Sequence, residues 1–160
     1  VIASNMLHHV AFPLKFLNEM HRILKPGGKL IIQEAYCSII FQIITIIMRH
    51  EGFDFTKNVW SGKEEMANSD DAWAGNIAVP HLIFDDRKKF YKEFQSKFKI
   101  KHEKIYECLI FLNSGGVSSK TFYLPLNNFF LKIVNYIDKI LVFLLPKIFG
   151  MGRQIVLEKI

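Results

Sequence analysis

Two adjacent histidines, His8 and His9, and a glutamate, Glu34, are the residues whose type and place suit proton chemistry. Imidazole titrates near neutral pH, so a histidine beside a bound substrate can take up and return a proton. Glu34 closes the apolar run KLIIQE, where a carboxylate either holds a ligand hydroxyl or amine or bonds a nearby backbone amide. The histidines follow a second short apolar run, VIASN. As a metal pair they are unpromising: neighbours in sequence are expected to diverge, His8 turning away into packing or solvent. No carboxylate or cysteine spacing completes a ligand set, and the sequence assigns no metal.

The elements that must position these groups follow from periodicity. Residues 1–5 are apolar and suit a strand buried on both faces, and MLHHVAFP reads as a loop closed by Pro13, a residue suited to the first turn of a helix. Phe16, Leu17, Met20, Ile23 and Leu24 recur at steps of three and four and draw one helix, which KPGG stops. The strand from Lys29 to Glu34 then completes a βαβ unit, which is right-handed with parallel strands. A second helix is expected over 36–49 and an inserted lid over about 50–84, where Asn76, His81, Trp60 and Trp73 are candidates for shaping a pocket, although tryptophans there more often pack. A third helix with Asp85 as its N-cap, a long strand over 99–113 ending at an SGG turn, an apolar helix over 128–149 and a closing strand, RQIVLEK, complete the reading. In open α/β sheets ligands bind beyond the carboxyl ends of strands, which places Asn5, Met6, Leu7, His9, Glu34, Ala35 and Tyr36 before a ligand.

Ser4, Leu7, His8, His9, Glu19, Arg22, Leu24 and Lys25-Pro26-Gly27-Gly28 together form the pattern S-x-x-L-H-H followed by R-x-L-K-P-G-G. This pattern resembles the second half of class I S-adenosylmethionine-dependent methyltransferases. The resemblance implies an α/β fold, a partial Rossmann-like sheet carrying family strands four, five, seven and six with flanking helices and the lid insertion. On that basis 1–160 is the C-terminal part of a single methyltransferase domain. Neither the Gly-rich first loop nor the acidic residue ending the second strand is found, so S-adenosylmethionine is expected to be held mainly by an N-terminal half not present here, and the fragment itself to be inactive. The resemblance also implies that Ser4, Asn5, Met6 and Leu7 line the methionine portion of the cofactor, and that His9 lies near the acceptor as base or as a turn-fixing residue, with Glu34 beside it. The implied reaction is methyl transfer to a small-molecule or glycan-type acceptor. A rival reading is a non-catalytic methyltransferase-like protein serving in binding or assembly.

Composition narrows the partners. The chain has 160 residues, half of them apolar, and a net charge of +6 from dispersed lysines, which argues against a nucleic-acid stripe. Cys37 and Cys108 lie far apart in apolar surroundings, fitting a reducing, cytoplasmic setting. In the 128–149 helix, Lys132, Asn135, Asp138 and Lys139 fall on one face, so an amphipathic helix is expected, serving as a cover, a membrane-surface contact or a dimer contact.

Overall fold

The computed structural model describes residues 1–48, 51–68, 70–71, 74–114 and 123–160. Trp73, Arg49 and the glycines of the SGG turn lie outside them. The chain is α/β and divides into two compact units, the first Val1–Ala35, Glu51–Lys104 and Arg153–Ile160, the second Tyr36–His50 and Ile105–Gly152. Four strands, β1 (Ile2–Ser4), β2 (Lys29–Ala35), β3 (Phe98–Tyr106) and β4 (Gly152–Lys159), form one sheet in the order β1-β2-β4-β3. β1 and β2 are parallel, with Ala3 opposite Ile32. β4 runs the other way: Lys159 N–H donates to Gly28 O while Gly27 N–H donates to Lys159 O.

In the first unit, helix α1 (Pro13–Ile23) begins on Pro13 and buries Leu17. Gly27, at φ 72°, makes the turn into β2 in a conformation that a side chain would strain. The core packs Leu7, Leu17, Leu30, Ile32, Ile155 and Leu157 against Phe84, Phe90, Phe94 and Phe98. The stretch expected as an irregular lid contains helix α3 (Val79–Phe84), which is largely buried and part of this core. Helix α4 (Arg87–Phe94) follows, and its N-cap is Asp86, which accepts from Lys89 N–H. Asp85, the residue expected in that role, is instead drawn to His81 and to Arg153.

The second unit departs most from expectation. Helix α2 is shorter than the 36–49 segment, running Ile39–Met48. β3 stops at Tyr106, and residues 109–113, expected as strand, form helix α5 (Leu109–Asn113). Glu107 there has φ 46°, which takes the chain out of the extended path. The carboxylate of Asp138, on helix α6 (Asn128–Leu144), accepts from Cys108 N–H at 2.9 Å and Leu109 N–H at 2.6 Å, stabilising the first turn of α5. α6 ends before Pro146, and a separate short helix, α7 (Pro146–Phe149), follows.

That contact turns one of the four residues expected on the polar face of α6 inward, while Lys132, Asn135 and Lys139 are exposed. Asp138 is buried at 2 % exposure, whereas Phe129, Phe130, Tyr136 and Phe143 are exposed. No helix among the described residues is long and apolar enough to cross a membrane.

Candidate functional site

β1 and β2 lie side by side in parallel, so their carboxyl ends open together, and the residues following each meet there. Leu7–His9 form a short 3₁₀ turn, not the open loop expected, with His9 N–H bonded to Met6 O. The turn begins after Asn5, whose φ of 47° bends the chain off the strand, and Asn5 N–H still reaches Gln33 O of β2. Glu34, buried at 2 % exposure, spans the gap between the two strand ends. Its Oε1 accepts from Met6 N–H at 2.9 Å and Leu7 N–H at 2.6 Å, and its Oε2 lies 2.5 Å from His8 Nδ1. The carboxylate therefore ties the turn down and orients His8, leaving the imidazole's Nε2 to face the other way.

His8 and His9 do not diverge. Their rings lie 4.2 Å apart, and both Nε2 atoms face Glu51, His8 to Oε2 at 3.2 Å and His9 to Oε1 at 3.5 Å. The 3₁₀ turn brings them together, because its tight winding does not carry successive side chains to opposite sides as a strand would. Glu51 arrives through a bridge of parallel type between Gly52 and Asn76, while Asn76 N–H donates to His8 O at 2.9 Å. Gly75 packs against all three side chains: a Cβ there would lie 2.8 Å from His8 Cδ2, 2.9 Å from His9 Nδ1 and 3.0 Å from Glu51 Oε2. Burial alone would lower the pKa of His8, but the hydrogen bond and charge of Glu34, with Glu51 beyond, outweigh it and hold the imidazole above its ordinary value.

The remaining sequence candidates separate. Ser4, Asn5 and Met6 are exposed at the strand end, whereas the Leu7 side chain is wholly buried in the core. Asn76 is a structural clasp, its Oδ1 accepting from Asp54 N–H and Ala78 N–H. Trp60 and His81 do line one open cavity, of about 460 Å³, together with Phe55 and Leu82. Glu51 was missed, since nothing in the turn-rich sequence around it marks it as the partner of residues so far upstream.

Residues 1–32 match the family model described as a methyltransferase domain. The chain thus carries a class I methyltransferase-like region. Over 80 residues, half of this chain, it is 34 % identical to a highly reducing polyketide synthase of Calcarisporium arbuscula. It spans only 3 % of that relative's length. The methyltransferase-like region includes the Ser4–His9 segment and the whole of α1, so both histidines fall within the matched stretch.

Proposed function

We propose that this chain forms the acceptor side of an S-adenosylmethionine-dependent methyltransferase, acting on a small-molecule or glycan-type acceptor that must lose a proton as it is methylated. The observation that carries the reading is the Glu34–His8 contact across the carboxyl ends of β1 and β2, with His9 beside it. That is where an open α/β sheet binds its ligands. The Glu34 carboxylate at Nδ1 fixes the orientation of the His8 ring, whose Nε2 faces Glu51 beside His9.

S-adenosylmethionine supplies a methyl group on a positively charged sulfur. The acceptor's electron pair forms the new bond to carbon while the sulfur–carbon pair remains on sulfur, and one proton must leave the acceptor. The exposed Ser4, Asn5 and Met6 offer polar and thioether contacts to the amino-acid end of that molecule, while Met6 and Leu7 N–H are already given to Glu34. His9, with its side chain 26 % exposed against 8 % for His8, is the imidazole an acceptor reaches first. The proton is lost at this imidazole face, and the packed turn keeps the acceptor aligned, which supplies much of the rate in such a displacement.

The relative's being a polyketide synthase supports a small acceptor bearing an acidic carbon or hydroxyl. The test is transfer of labelled methyl from S-adenosylmethionine by the protein tagged and purified from its native cells, offered β-ketoacyl thioesters, phenols and sugars. Transfer that falls at least tenfold in His9→Ala and Glu34→Gln, with the fold retained, supports the reading. Transfer indifferent to both substitutions, or absent with every acceptor, overturns it.

A further inference from the structure

We propose that His8, His9 and Glu51 form a binding site for a divalent transition-metal cation, zinc by its ligand chemistry. The inference rests on the reading that the acceptor's proton is lost at this face, and it deepens that reading by saying what draws the proton away.

Three observations carry it. The three side chains offer ligand atoms that all lie within 4.8 Å of one another. The contacts of 3.2 Å and 3.5 Å between the Nε2 atoms and the Glu51 oxygens are long for charge-assisted hydrogen bonds, which run about 2.7–2.9 Å. Each is close to the separation of two ligands on one tetrahedral zinc, about 3.3 Å when each bond is about 2.0–2.1 Å, with His8 facing one Glu51 oxygen and His9 the other. The third observation is the support behind the ligands. A metal-bound histidine typically gives its other ring N–H to a carboxylate, and His8 Nδ1 already has Glu34 at 2.5 Å. Gly75 leaves room for the three groups to close on a common centre, where any larger residue would push into them.

Two imidazoles and one carboxylate are the protein ligands of zinc sites that keep a fourth position for water or substrate. Imidazole nitrogen favours zinc, iron, copper or nickel over magnesium or calcium, which prefer oxygen. An acceptor oxygen in the fourth position loses its proton more readily against the cation's charge.

The 160-residue chain is stripped with chelator, dialysed, and titrated calorimetrically with zinc chloride and separately with magnesium chloride. Cobalt(II) serves as a probe through the visible absorption of a tetrahedral site. The expected result is one equivalent of zinc, no response to magnesium, and a zinc affinity at least tenfold weaker in Glu51→Gln and Gly75→Ala and on the order of 10–100-fold weaker in Glu34→Gln. A His102→Ala control in β3 is expected to leave the affinity unchanged. No zinc binding at millimolar concentration, or binding equal in all variants, overturns the proposal. Methyl transfer by the native protein separates the two readings: transfer that survives chelation yet is lost in His9→Ala and Glu34→Gln removes the metal and keeps the acceptor site. Transfer indifferent to chelation and to those substitutions removes both.

Discussion

Glu34 Oε2 stands 2.5 Å from His8 Nδ1 across 26 residues of chain, joining the ends of two parallel strands through one carboxylate. That carboxylate also receives two backbone amides, so it is a structural element as much as a chemical one. Glu34→Ala strands three donors, two of them buried, and is expected to cost about 3 kcal/mol in a denaturant titration. Glu34→Gln keeps an acceptor for the amides but turns an N–H toward His8. It is expected to lose less stability while methyl transfer falls by about 100-fold. Equal losses of stability in the two variants would contradict this.

Asp85 provides a pH-dependent contribution to folding. Burial alone would raise its pKa, but the hydrogen bond from His81 and the charge and hydrogen bond of Arg153 lower it below the usual carboxylate value. A folded pKa below the unfolded one gives stability that is present above about pH 4 and is lost as pH falls through the folded value. Denaturant titrations of the wild type at pH 7 and pH 3 are expected to differ by more than those of Asp85→Asn. A variant retaining the full pH slope would show that other carboxylates carry it.

Arg153, 4 % exposed, lies between the carboxylates of Asp85 and Glu103. Removing it takes the guanidinium from two partly exposed carboxylates that keep His81 and Arg87 beside them, and Arg153→Ala is expected to destabilise the protein by about 1–3 kcal/mol. Thermal unfolding measures this. A change under about 1 kcal/mol would mean that water replaces the guanidinium without cost.

Cys108 is buried, and burial, then the nearby charge of Asp138, push its thiol pKa up to about 11. It is expected to resist iodoacetamide at pH 8 in the folded protein and to react once denaturant is added, because the thiolate is the nucleophile. In Asp138→Ala, which unpins the 108–109 amides, labelling of Cys108 without denaturant is expected to rise severalfold. Labelling of the wild type at the denatured rate would place the thiol in solvent.

The exposed residues of α6 give a membrane contact its test. Phe143 is 84 % exposed, and Lys132, Lys139 and Lys147 are exposed on α6 and α7. Phe143→Lys is expected to leave stability within about 0.5 kcal/mol while reducing sedimentation with anionic vesicles. Equal sedimentation of the two proteins removes the membrane reading.

Local signals sufficed for α1, placed by Pro13, the recurring apolar residues and KPGG, and for β2, placed by its run of apolar residues. They also identified the resemblance, because S-x-x-L-H-H and R-x-L-K-P-G-G each lie within one segment. Such features depend on backbone preferences over a few residues, which any stretch of sequence carries in itself. Tertiary structure alone decided that Glu51 joins His8 and His9, that Asp86 and not Asp85 caps α4, and that Asp138 is buried while Phe143 is exposed. In each case a charged side chain is placed by a donor or charge from a distant segment. Ion pairing and amide capping depend on which segments meet, and periodicity carries no record of that meeting.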